Sequence, residues 1–126
     1  MRITIFGAGN LGLASCAVLA QDNDVTLFTA KPHKNREALD FTYEGKPGHS
    51  APFAVTDDIA AACQADMILC TYPAFLRQQF VADIEPYVQA GTSLGFMPGY
   101  GGIEYFCQDL IARGVTDFLF SGVGPF

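Results

Sequence analysis

The stretch Arg2-Ile3-Thr4-Ile5-Phe6-Gly7-Ala8-Gly9-Asn10-Leu11-Gly12-Leu13-Ala14 decides the fold. An apolar, β-branched run enters Gly7 directly, and residues 13–20 are helix formers without a proline. The expected local structure is strand, glycine turn, helix. Each glycine then has its own task. Gly7 permits the tight turn, the missing Cβ of Gly9 lets a pyrophosphate approach the backbone, and Gly12 lets the helix lie close to the strand. The helix N-terminus adds N–H groups without intrahelical partners and a partial positive charge, both suited to phosphate. Gly7, Ala8, Gly9, Asn10, Leu11 and Gly12 are therefore candidate dinucleotide-binding residues. A ligand-free glycine loop between a core strand and a core helix reads the same in isolation. The second β-rich run that follows, Val25-Thr26-Leu27-Phe28-Thr29, favours the nucleotide-binding arrangement.

Half of the 126 residues are hydrophobic, enough for one domain with its own core. A net charge of −6 argues against nucleic acid or an anionic membrane surface as a partner. Glycines and charges interrupt every apolar run before it reaches membrane-spanning length, and the first residues lack the layout of a secretory signal. Cys16, Cys63, Cys70 and Cys107 form no Cys-x-x-Cys pair, and His33 and His49 are not spaced as metal ligands. Reduced, packed thiols in a cytoplasmic protein without a metal site are the expectation.

Beyond the second strand the chain reads Thr29-Ala30-Lys31-Pro32-His33-Lys34-Asn35-Arg36. A fold of this kind that prefers NAD carries an acid about 20 residues past the glycine turn, to accept the ribose 2′-OH. Here the strand ends at Thr29 with no acid, and Lys31, Lys34 and Arg36 follow, which would attract a 2′-phosphate. The pattern leans to NADP, with NAD the alternative; a solvated basic loop is the other reading of the same charges.

Residues 37–52 read as an irregular or hairpin-like excursion in which Phe41-Thr42-Tyr43 has strand character and residues 44–50, with His49, form an exposed connecting loop, before a third parallel strand near Phe53-Ala54-Val55. Thr56 is the expected N-cap of a short helix reaching residue 65. Residues 66–72 are nearly all apolar, as in a parallel strand covered on both faces. A helix over residues 74–89 follows, kinked or split in two by Pro86, then a fifth strand over 91–97. The next helix spans 103–113 with Ile103, Phe106, Leu110 and Ile111 inward, stopped by Gly114, and a sixth strand covers 116–121. The expected fold class is α/β: a doubly wound, Rossmann-type parallel sheet of six strands in the order 3-2-1-4-5-6 with right-handed crossovers, filling residues 1–126. The carboxyl ends of the fourth and fifth strands then face the switch point beside the first, which makes Thr71, Tyr72 and Pro73 candidate neighbours of the cofactor.

Three segments together carry a family resemblance: residues 7–14, Thr71-Tyr72-Pro73-Ala74-Phe75, and Met97-Pro98-Gly99-Tyr100-Gly101-Gly102-Ile103-Glu104. They resemble the NAD(P)-binding half of the opine (octopine and nopaline) dehydrogenases, within the wider group that includes 6-phosphogluconate dehydrogenase, glycerol-3-phosphate dehydrogenase and ketopantoate reductase. The resemblance implies reduction of the imine of an amino acid and a 2-oxo acid. It implies that the glycine turn holds the pyrophosphate; Thr29, Lys31 and Lys34 are candidate cofactor contacts from the charge pattern after the second strand. Thr71, Tyr72, Pro73, Phe75, Pro98 and Gly99 would line the nicotinamide side. The family's substrate pocket and proton-transferring histidine lie largely in a second domain. The expectation is that this chain lacks that domain and binds the dinucleotide without turnover; the sequence identifies no residue as catalytic. Expected partners are the dinucleotide and, in the full-length enzyme, a small-molecule substrate; a homo-oligomer is compatible with the sequence. A stand-alone dinucleotide-binding or redox-sensing module is the competing reading. Ketopantoate reductase ranks lower among enzymes, since members carry a lysine soon after the fourth strand and Tyr72-Pro73-Ala74-Phe75-Leu76 has none.

Overall fold

The opening run forms strand β1 (Arg2–Phe6) of a computed structural model that describes residues 1–34, 37–99, 102–115 and 117–120. It enters the glycine turn and helix α1 (Asn10–Leu19), which returns the chain to β2 (Asp24–Phe28). A hairpin, β3 (Asp40–Tyr43) paired antiparallel with β4 (Lys46–His49), precedes β5 (Ala54–Thr56). Then come α2 (Ile59–Ala62), β6 (Met67–Cys70), α3 (Arg77–Ile84), β7 (Ser93–Phe96), the short helices α4 (Ile103–Phe106) and α5 (Gln108–Ala112), and β8 (Asp117–Phe120). The main sheet runs β5-β2-β1-β6-β7-β8, and all its pairs are parallel. Counting only its own strands, that is the 3-2-1-4-5-6 order expected from the sequence, with the excursion set aside as a separate two-stranded sheet.

Residues 3–6 of β1 are all buried, so the strand is covered on both faces. Side chains alternate between two cores because the pleat has a period of two. Ile3, Ile5, Val25, Leu27 and Leu69 pack with Cys16 and Ala20 of the α1 layer. Phe6, Ile68, Cys70, Leu94 and Phe96 pack on the other face against Phe80, Val81 and Ile84 of α3 and Leu110 of α5. Phe80 is the hub of that second core, with ring centroids 5.0 Å from Phe6, 5.8 Å from Tyr72 and 6.0 Å from Phe96. Truncating such a ring to alanine costs about 3–5 kcal/mol.

Four local expectations change. Helix α1 starts at Asn10 rather than after Gly12, because Gly9 is already its N-cap. The cap of α2 is Asp58, whose carboxylate accepts from Ala61 N at 3.1 Å; Thr56 ends β5 instead and its hydroxyl accepts from Asp58 N. The helix expected over 74–89 is a 3₁₀ turn (Ala74–Leu76) followed by α3, which ends at Ile84 because Pro86 has no N–H to continue the ladder. The helix expected over 103–113 breaks at Cys107 into α4 and α5. Its inward residues are Ile103, Cys107 and Leu110, while Phe106 and Ile111 are each 44% exposed. A small cysteine lets this segment approach the sheet where a phenylalanine would hold it off. Gly114 does stop the segment, at φ +88°.

Candidate functional site

The register brings the candidate residues to one edge. Thr56, Phe28, Phe6, Cys70 and Phe96 sit side by side as the last residues of their strands. One residue further the ladder continues as a staircase: Thr29 N donates to Thr56 O (3.0 Å), Gly7 N to Phe28 O (3.4 Å), Thr71 N to Phe6 O (2.9 Å) and Met97 N to Cys70 O (2.9 Å). Thr29, Gly7, Thr71 and Met97 therefore form a row along the carboxyl edge, where open α/β sheets bind ligands.

The glycine turn sits at the centre of that row. Gly7 has φ +114°, a region closed to most side chains, and a Cβ there would stand 2.5 Å from the Thr71 hydroxyl and 3.3 Å from the Tyr72 ring. A Cβ on Gly12 would collide with the Gly7 carbonyl, so this glycine sets how closely α1 approaches the strand end. Gly9 differs from both. Its backbone is extended (φ −77°, ψ −178°) and a Cβ would meet nothing within 4 Å. The fold does not need a glycine at position 9. The open space in front of it is what an approaching ligand requires.

Helix α1 begins behind that space. No side chain caps it, and its first backbone bond, Leu13 N to Gly9 O (2.9 Å), leaves the preceding N–H groups without intrahelical acceptors. Ala8 is half-buried, whereas Gly9, Asn10 and Leu11 are exposed.

At the β2 end, Thr29 Oγ1 accepts from Lys31 N (3.2 Å), which turns the chain into a short 3₁₀ segment (Pro32–Lys34). The Lys31 side chain is exposed; the Lys34 side chain and Arg36 lie outside the described residues. At the β6 end, Tyr72 is half-buried against Phe80, and burial pushes its hydroxyl up to about 12. Pro73 is exposed, and Phe75 is 81% exposed. At the β7 end, Met97 packs toward α1, with Ser15 Oγ 3.9 Å from its sulfur, and Pro98 and Gly99 are half-buried beyond it. Tyr100 and Gly101 lie outside the described residues, as do residues 121–126. His33 is exposed, and His49 pairs with Asp40 at 2.6 Å in the hairpin.

One contributor escaped the sequence reading. Arg77 is a buried arginine, with Nε donating to Tyr72 O (2.9 Å) and its guanidinium 5.8 Å from the centre of the Phe96 ring. It ties the segment after β6 back to the core. No local pattern marks it, because a single arginine opening a helix ordinarily reads as solvated. An apolar cavity of about 360 Å³ lies elsewhere, between α1 (Ala14, Ala17, Val18) and the hairpin (Phe41, Tyr43), with no charged group among the described residues that line it.

A parallel doubly wound sheet with a glycine turn at its switch point defines the Rossmann class. Comparison with known proteins narrows the class: a profile of the ketopantoate reductase PanE/ApbA family matches residues 3–120, and the chain belongs to that family. It is 32% identical over 128 aligned residues to octopine dehydrogenase of Pecten maximus, covering 88% of this chain and 32% of that protein. It is 38% identical over 72 residues to opine dehydrogenase of Haliotis discus hannai, covering 52% of this chain and 18% of that protein. A solved structure of octopine dehydrogenase in complex with NADH and agmatine superposes with a TM-score of 0.76 over 94% of this chain and 33% of that one, at 20% identity, a likeness of fold. The chain thus spans about a third or less of these relatives. No helix among the described residues is long and apolar enough to cross a membrane.

Proposed function

We propose that this chain is the cofactor-binding part of an NAD(P)-dependent oxidoreductase of the opine dehydrogenase type, acting on the imine of an amino acid and a 2-oxo acid. The observation that carries the cofactor reading is the contrast among the three glycines. Gly7 and Gly12 are demanded by the fold, whereas Gly9 faces open space beside an uncapped helix start. A glycine that packing does not require is accounted for by close approach of a ligand to its backbone. The site therefore fits a dinucleotide pyrophosphate held by residues 7–12. Thr29, Lys31 and Lys34 take the adenosine end, and Tyr72, Pro73, Phe75, Pro98 and Gly99 the nicotinamide side, with Thr71 behind the turn. When bound, the nicotinamide supplies hydride chemistry. The chain's own residues orient it and shield one side with the Tyr72 ring and the Met97–Gly99 segment.

The reaction type is supported by the opine and octopine dehydrogenase relatives, and by the absence of a lysine from the segment after β6. NADP is the preferred cofactor in this reading, because β2 ends without a carboxylate and the segment 29–36 carries Lys31 and Lys34 and no acid. In this reading these 126 residues bind the dinucleotide without turning it over; they span 32% of the octopine dehydrogenase relative. Four buried free thiols suit a reducing, cytoplasmic setting. Titrating NADPH and NADH separately into the purified chain tests the proposal. Saturable binding, tighter for NADPH, is the expected result; no binding of either, or steady turnover with an amino acid and pyruvate, contradicts it.

A further inference from the structure

We infer that Thr71 is a positioning residue for the glycine turn, acting on the cofactor site through the carbonyls of Phe6 and Gly7 rather than through the cofactor itself. The inference rests on the dinucleotide reading above. Thr71 lies one residue past β6, next to the turn in the sheet-edge row, and its backbone N–H already donates to Phe6 O at 2.9 Å. Its hydroxyl faces the same way: Oγ1 donates to Phe6 O at 2.9 Å and stands 3.3 Å from Gly7 O, within reach of the same proton. The space that Oγ1 fills is the space two glycines leave. A Cβ on Gly7 would stand 2.5 Å from it and a Cβ on Gly12 3.0 Å from it. The strand end, the turn and the first turn of α1 thus interlock around one oxygen atom.

The functional consequence follows from peptide planarity. In a trans peptide the C=O and the next N–H point in opposite directions. Holding the Gly7 carbonyl toward Thr71 and Gly12 aims the Ala8 N–H away from them. Gly7 N is held in turn by Phe28 O (3.4 Å), so both peptides flanking Gly7 have fixed planes. At φ +114° Gly7 is free to take other conformations once those anchors are lost. Thr71 removes that freedom before the ligand arrives, the kind of preorganisation that raises affinity without a new ligand contact.

The test compares T71S, T71A and T71V with the wild-type chain. Dissociation constants for NADPH and NADH are measured well below each variant's melting temperature, and binding of adenosine, which carries no phosphate, is followed by NMR. Serine keeps the donor and should hold the dinucleotide within about twofold of wild type. Alanine and valine remove the donor and should weaken it about tenfold, equivalent to about 1.4 kcal/mol, while adenosine shifts by less than twofold. Alanine only deletes atoms, so it serves if the valine variant fails to fold. Wild-type affinity in T71A, or equal weakening of dinucleotide and adenosine, overturns the assignment. A wild-type chain that binds neither dinucleotide sinks the functional reading, and this assignment with it.

Discussion

Gly9→Val separates the ligand's demands from the fold's. The backbone at Gly9 is extended (φ −77°, ψ −178°), a conformation comfortable for a β-branched residue, and the new Cβ would touch nothing within 4 Å. The remaining cost to stability is the loss of a tolerable N-cap, about 0.5–1 kcal/mol, or roughly 2–5 °C in melting temperature for a domain of this size. Binding responds differently. The isopropyl group fills the space through which a diphosphate reaches the amides at the start of α1, so at least one hydrogen bond to a charged oxygen is lost. Such bonds are worth about 1.5–3 kcal/mol, which weakens affinity roughly 10- to 150-fold. Gly12→Ala is the control: its Cβ collides with the Gly7 carbonyl, so α1 must move, at an overpacking cost of about 1–3 kcal/mol. Thermal melts and fluorescence titrations with NADPH and NADH read both quantities. The reasoning is refuted if Gly9→Val binds within twofold of wild type, or if it melts as low as Gly12→Ala.

Two further outcomes follow from the same geometry. The double variant Lys31→Gln/Lys34→Gln should weaken NADPH by roughly 150-fold or more, from two charge-assisted contacts worth about 1.5–3 kcal/mol each, and leave NADH nearly unchanged; equal weakening of both would place the 2′-phosphate elsewhere. Burial pushes Cys16 and Cys70 up to about 12 and Cys63 and Cys107 up to about 11. Unfolded thiols ionise near pH 8.5, so the unfolded chain releases protons first and stability falls as pH rises from there through about 12. The limiting slope is about 1.4 kcal/mol per pH unit for each thiol. Melting temperatures that stay flat from pH 8 to pH 11 would contradict this burial.

Much of this fold was legible because its signals are local and periodic. The strand–glycine–helix opening, the continuous apolar run before Thr71 and the breaks at Pro86 and Gly114 each carry their physics within a few residues. The excursion was legible from Glu44-Gly45-Lys46-Pro47-Gly48, but its second strand was not: Lys46–His49 reads as a connecting loop, yet it pairs with Asp40–Tyr43 across a turn in which Gly45 takes φ +76°. Cys107 was misread because the large apolar residues beside it drew the inward face toward Phe106 and Ile111. Packing distance selected the small residue instead, and distance is set by the sheet rather than by the helix. Arg77 and the Thr71 hydroxyl escaped for a related reason. The hydroxyl's partners, carbonyls 65 and 64 residues earlier, exist only once β6 lies beside β1; Arg77 bonds locally to Tyr72 O, and what the sequence does not display is its burial against the Phe96 ring. The three glycines look alike as letters; only the space around each tells the two that serve packing from the one that faces open space.

The central claim is that a diphosphate rests on backbone amides where β1 gives way to α1. Amide-resolved NMR of the isotope-labelled chain, titrated with NADPH, tests it most directly. The account predicts saturable shifts concentrated at Ala8, Gly9, Asn10, Leu11 and Gly12, with a second group near Thr29 and Lys31. Shifts confined to the hairpin and the outer face of α1, or none at all, would contradict it.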